Sequence, residues 1–149
     1  MPVEYFPTNF HFEVDFLNIG TSGDDIKFQS VSGLDAQMGT DTIKEGGENR
    51  FEHVVPTRAK TSDLVLKRGV LGPGQSGVTQ WCKDAFELFI FFPSDLLVTL
   101  YNESHQPLLK WKVIHAWPKS WKLNELNAEK GEVLIETLEL NYNYFIFQD

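Results

Sequence analysis

The residues of this chain whose types could do chemistry are four histidines, one cysteine, a pair of adjacent aspartates and one glycine-rich loop. Metal chemistry needs imidazoles or carboxylates at ligand spacing, but His11, His53, His105 and His115 stand far apart and none belongs to an H-E-x-x-H arrangement. His11 falls on the polar side of a strand pattern and His105 in a turn, so both read as surface histidines. Cys82 falls on the apolar face of a helical pattern and reads as a small buried hydrophobe; a reactive thiolate needs an open, electropositive setting. Gly72-Pro-Gly-Gln-Ser-Gly77 lacks the Gly-Lys-Ser/Thr ending that gives a phosphate loop its cation and magnesium ligand. Asp24 and Asp25 are expected to be solvated in a turn. Asn102-Glu103-Ser104 matches a glycosylation sequon, which carries meaning only on a secreted chain. No catalytic, metal or cofactor-binding set is expected, and no cofactor.

Composition narrows the remaining classes. A hydrophobic fraction of 42% and an aromatic fraction of 13% are those of a folded protein, and 149 residues predict a single domain burying roughly two-thirds of its unfolded surface. A formal net charge of -8 argues against sequence-independent binding to phosphate backbones. One cysteine excludes an internal disulfide and a cysteine zinc site. No secretory signal is visible at Met1-Pro2-Val3-Glu4-Tyr5-Phe6. The longest apolar stretch, Phe86 to Leu100, is interrupted by Glu87, Pro93, Ser94 and Asp95, too broken for a membrane span.

The elements that position these residues follow mostly from a period of two. Phe10, Phe12, Val14 and Phe16 alternate with polar residues as one strand, and Ile26 to Val31 gives a second. Asp35 to Ile43 and Arg50 to Val55 predict an arm of two strands around Gly46-Gly47, with Pro56 stopping the return strand. Asp63 to Val70 is another strand. Val78, Trp81, Cys82, Ala85 and Phe89 take helical spacing behind Ser76 as N-cap, predicting one helix of about three turns before Pro93. Leu96 to Tyr101 and Leu108 to Trp117 predict two strands, with Pro118 ending the second. Leu134, Leu138, Leu140, Tyr142, Tyr144 and Ile146 share one face of a last strand, on which only Glu136 intrudes. The fold class is mainly β: an antiparallel β-barrel or sandwich with one flanking α-helix and an extended β-hairpin arm. Trp111 and Trp117 share the parity of Leu109 and Val113, so that strand is expected to pack heavily on one side, and Trp117-Pro118-Lys119-Ser120-Trp121 reads either as an aromatic core corner or as a subunit contact.

The arm is larger than a compact domain needs and has little apolar surface to bury, so its use is to reach another copy. The candidate assembly residues are Lys44, Glu45, Gly46, Gly47, Glu48, Asn49, Arg50 and Phe51, with Pro56 and Arg58 behind them.

In order along nearly the whole chain, Phe10-His-Phe-Glu-Val14, Phe28-Gln-Ser-Val-Ser-Gly-Leu34, Glu45-Gly-Gly-Glu-Asn-Arg50, Pro56-Thr-Arg58, Leu64-Val-Leu-Lys-Arg-Gly69, Ala116-Trp-Pro118 and Glu132-Val-Leu-Ile-Glu-Thr-Leu-Glu-Leu140 resemble the tail tube family of contractile phages and contractile injection systems. The resemblance implies a structural protein, not an enzyme. It implies homohexameric rings that stack into the inner tube within a sheath, joined by strands that close a continuous β-barrel and by the arm. Implied partners are the sheath, baseplate or hub and cap proteins, with effector protein or DNA as lumen cargo and no membrane anchor. The implied location is a phage tail or a phage-tail-like particle, made in the bacterial cytoplasm, with extracellular release as its implied exit. A tube-initiating or tube-capping paralogue is an alternative within that class, and a monomeric ligand-binding β-barrel is the alternative from another. Leu88-Phe-Ile-Phe-Phe-Pro93 departs from the pattern: it is strongly apolar where such proteins often carry a polar or basic link.

Overall fold

The computed structural model describes residues 11–20, 23–44, 46, 47, 52–71, 74–129, 131 and 133–148. Nine strands and one α-helix follow one another along these residues. β1 (His11–Phe16) follows the expected alternation, with Val14 and Phe16 turned inward and fully buried; Phe10 lies outside the described residues. A 3₁₀ turn at Gly23–Ile26 precedes β2 (Ser30–Ser32), so the second strand starts later than its apolar pattern predicts. The cause is Asp25. It is not solvated as expected but only 2% exposed, and its carboxylate is spent on capping the helix, which holds that segment in a turn.

β3 (Ala36–Ile43) and β4 (His53–Thr61) form a two-stranded sheet of their own. Pro56 does not stop β4. It pairs with Thr40 at a register shift between Met38 and Thr40, and a two-stranded sheet consists of edges, where a missing N–H is tolerated. β5 (Leu64–Gly69) alternates Leu64, Leu66 and Arg68 inward.

The helix α1 (Gly77–Leu88) forms as its spacing predicts, burying Val78, Trp81, Cys82 and Ala85. Ser76 is the N-cap, its hydroxyl accepting from the Thr79 N–H at 2.9 Å. The helix has the expected three turns but ends at Leu88, short of Pro93. Phe89 enters the left-handed region (φ 54°, ψ 38°), donates its N–H to the Asp84 carbonyl, and swings its ring out to 84% exposure, away from the face it was expected to share. A side chain in that conformation costs about 1 kcal/mol that glycine avoids. Phe89→Gly is therefore expected to raise thermal stability of the isolated chain, by a degree to several degrees in a melting curve; a lowered melting temperature would contradict it.

β6 (Ser94–Tyr101) and β7 (Pro107–Leu123) come next. β7 runs straight through Trp117-Pro118, because it is shared between two sheets. Its first half pairs with β6 on one side, and its second half pairs only with β8 (Ile135–Asn141). Along that second half Pro118 stands on an edge, beside a register shift. The bend between the halves is built at His115, which takes φ 60° and donates its N–H to Asp95 Oδ1 at 2.9 Å. The expected last strand is accordingly two strands. β8 carries Leu138 and Leu140 into the core, whereas β9 (Tyr144–Gln148) crosses to the other sheet and leaves Tyr144 and Ile146 about half exposed.

The result is a sandwich-like antiparallel fold of order β1-β6-β7-β8-β5-β2, with β9 on β7. It does not close as a barrel: β1 meets the segment before β2 through a single bridge, Glu13 to Lys27. The core lies between the two halves and under α1, with Phe16, Leu64, Leu66, Leu96, Val113 and Leu138 at its centre.

Candidate assembly surfaces

The arm is anchored at its root and free beyond it. Tyr142 donates its hydroxyl to the Gly33 carbonyl at 3.0 Å, the Ser62 N–H donates to Asp35 Oδ1 at 3.2 Å, and Asn141 and Lys119 both donate to Asp63. The Lys119 ammonium holds the Asp63 carboxyl below its usual range, and Asp63 in turn raises Lys119. The stability Asp63 gains from this is present above the ordinary carboxylate range and lost as pH falls through its lowered value; the pair is half open to solvent, so the contribution is small.

Beyond the root, β3 and β4 pair only with each other, and Met38, Ile43 and Val54 are half exposed or more. A two-stranded hairpin is at best marginally stable alone in water. Among the candidate residues, Lys44 is exposed with Nζ 3.9 Å from Glu52, and Gly46 and Gly47 make the turn, Gly47 at φ 91° where a side chain is disfavoured. Pro56 and Arg58 lie in β4. Thr57 and Arg58 press on Gly39, where a Cβ would overlap the Thr57 hydroxyl. Glu45, Glu48, Asn49, Arg50 and Phe51 lie outside the described residues. The described residues of the arm thus present backbone edges and a few apolar side chains.

Two features behind these surfaces escaped the sequence reading. The first is a buried charge cluster. Arg68, only 2% exposed, reaches Asp25 at 2.7 Å, Ser76 at 2.7 Å and Glu136 at 3.4 Å, and its guanidinium lies 5.0 Å from the Phe28 ring centre. Asp25 also accepts from the Gly77 and Val78 N–H groups at the helix start. Four segments, the 3₁₀ turn, β5, β8 and α1, are joined at this one cluster. Its signal was present: Arg68 shares the inward parity of Leu64 and Leu66, and Glu136 intrudes on an apolar face directly opposite, as the register confirms.

Cys82 sits fully buried beside that cluster, and burial pushes its thiol up to about 12, with Glu136 adding to the shift. The folded chain keeps a proton that the unfolded chain releases. This contribution to stability is fully present below the thiol's ordinary value and is lost as pH rises through about 12. We expect a thiol reagent at pH 8 to label Cys82 only after denaturation; labelling of the native chain at the rate of a free thiol would contradict that.

The second feature is the segment after α1. Leu88, Phe89 and Phe92 are 63%, 84% and 63% exposed, yet the segment is pinned from beneath by Trp81 Nε1 donating to the Phe92 carbonyl at 2.6 Å. Phe91 packs edge-on between Phe89 and Trp117. The Trp117 and Trp121 rings, which the sequence left as core corner or contact, border this exposed aromatic surface, Trp121 stacking on Phe86. Among the described residues no group of three or more histidine, cysteine or acidic side chains could hold a metal ion, and no helix is long and apolar enough to cross a membrane.

The described residues thus form an antiparallel sandwich with a two-stranded arm, open sheet edges and exposed aromatics. The family model for the T4-like virus tail tube protein gp19 matches residues 8–146. The chain belongs to this tail tube family, whose members are structural proteins and not enzymes. No curated protein sequence matches it. Among solved structures, it is similar to a chain of the anti-feeding prophage baseplate (30% identity, 99% of this chain and 97% of that one, TM-score 0.83). It is also similar to a chain of the sheath/tube terminator of the PVC extracellular contractile injection system (26% identity, 99% and 100%, TM-score 0.82). Hcp1 from Flavobacterium johnsoniae shares the fold at 19% identity, over 93% and 94% of the chains with a TM-score of 0.60.

Proposed function

We propose that this chain, as one tail-tube domain spanning 1–149, is the subunit of the inner tube of a contractile injection machine. Six copies form a ring, and rings stack into the conduit. The observation that carries the reading is the anchored, otherwise unpartnered arm β3–β4 on a chain that belongs to the tail tube family. Open edges support it as well: β1, β2, β9 and the second half of β7 each have a side without a strand partner among the described residues, and neighbouring copies can pair there. Heterologous contacts of this kind close laterally into a ring and stay open axially as a stack.

In this reading the tube stands within a sheath and is joined to baseplate or hub and cap proteins. Sheath contraction drives the tube forward as a rigid body, and effector protein or DNA travels in the lumen. The subunit is made in the bacterial cytoplasm and incorporated into a phage tail or a phage-tail-like particle, and the particle is released from the cell. With a net charge of -8, the lumen is expected to be acidic or neutral, so that polyanionic cargo does not adhere; a tube lined mainly by lysine and arginine would count against that.

Similarity to chains from baseplate and cap assemblies keeps a second reading, a single ring at one end of the tube. Electron microscopy of the purified protein separates the two: long self-assembled tubes favour the tube subunit, and single rings that never elongate favour the end-ring paralogue. A monomeric ligand-binding barrel would instead elute as a monomer and show neither.

A further inference from the structure

The exposed aromatic segment after α1 and an apolar cleft elsewhere on the chain stand in a relation that a repeating assembly could use. The segment is uncharged from Leu88 to Pro93 and is held rigid by the Trp81 hydrogen bond and the Phe89–Phe91–Trp117 contacts. An aromatic side chain can bury about 150–250 Å². At the observed exposures of Phe86, Leu88, Phe89, Ile90 and Phe92, the knob offers on the order of 500 Å² of apolar surface. That is the size of a functional patch and over half of one side of a standard protein interface of about 800 Å². The left-handed conformation at Phe89 caps the helix, but that cap needs only backbone; placing phenylalanine there instead of glycine, with its ring 84% exposed, costs stability that the cap does not require.

The cleft, of about 270 Å³, opens where the sandwich fails to close between β2 and the first sheet, lined by six apolar residues, Phe12, Val31, Leu34, Val98, Leu100 and Trp111, with the polar Gln29 and Ser30 at one side. It is smaller than most ligand sites and of a size for one or two side chains. The knob leads directly into Ser94 at the start of β6, and the cleft lies at Val98 and Leu100 further along that strand. At about 3.3 Å per residue the two are separated by roughly 13–20 Å along β6. A projection near one end of a strand and a recess toward its other end make a head-to-tail contact, which repeats without limit or closes into a ring. Charge points to the same occupant. Copies of a chain at net -8 repel each other, so contact between them falls to uncharged surface, and both the knob and these six lining residues are uncharged.

We propose that the knob at Leu88–Phe92 of one copy seats in the apolar cleft of the next copy, with Phe89 as its anchor. The inference rests on the assembly reading above, and its test keeps the two apart. Phe89→Cys and Leu34→Cys chains, carrying tags of different mass, are mixed under assembly conditions and oxidised; native Cys82 is buried and does not interfere. The expected result is a disulfide-linked dimer bearing both tags, formed at least tenfold faster than a homodimer of either variant. Phe89→Gly, folded and unstrained, should assemble at least tenfold less readily than the parent chain. If rings or tubes form but no mixed dimer appears, or if Phe89→Gly assembles like the parent, the contact is wrong and the tube reading stands. If the parent chain itself stays monomeric, the tube reading fails and this contact fails with it.

Discussion

Deleting Lys44 to Arg50 leaves a folded, soluble protein that no longer forms stacked tubes. The fold should survive because, among the described residues, β3 and β4 pair only with each other and not with a core strand. The root contacts of Tyr142 with Gly33 and of Asp35 with Ser62 stay in place. Melting temperature should shift by no more than a few degrees. Assembly, in contrast, should fall below detection if the arm, whose Met38, Ile43 and Val54 stand half exposed or more, is the contact proposed above. Circular dichroism and negative-stain microscopy on the same sample check both halves. Tubes built from the shortened chain would remove the arm from the assembly.

The largest effect on stability is expected at Arg68. Replacing it with methionine leaves the Asp25 and Glu136 carboxylates buried beside each other, at 2% and 1% exposure, without their cation. Breaking a buried ion pair from one side costs about 3–5 kcal/mol. The loss should also loosen the start of α1, since Asp25, which Arg68 orients, accepts from Gly77 and Val78. Urea denaturation measures it as a lower midpoint with an unchanged slope. Replacing Glu136 as well with an apolar residue of similar volume, while keeping Asp25 on the Gly77 and Val78 N–H groups, should recover part of the loss, since one buried carboxylate is no longer left without its cation. A single Arg68→Met chain with the parent's midpoint would show that the cluster is not what joins the four segments.

Most strands were legible because one face of each is buried, and a period of two then survives in the sequence: Val14 and Phe16, Leu64 and Leu66, Leu138 and Leu140. The helix was legible through Ser76 and the spacing of Val78, Trp81, Cys82 and Ala85. What the pattern could not carry was pairing. Pro56 and Pro118 looked like strand ends because their tolerance depends on whether the side lacking an N–H has a neighbour, a property of the sheet. The last strand looked continuous because periodicity does not record the bend at His115 that sends β9 to the other sheet. Asp25 looked solvated because its partner, Arg68, stands 43 residues away. The arm was legible as an excess of polar strand without a core to cover; of its candidate residues, the structure describes Lys44, Gly46, Gly47, Pro56 and Arg58.

Self-assembly of this chain is tested most directly by electron microscopy of the purified protein. Six-fold rings that stack into tubes with an open lumen are expected. A protein that remains monomeric by size exclusion, with neither rings nor tubes at any concentration, would contradict it.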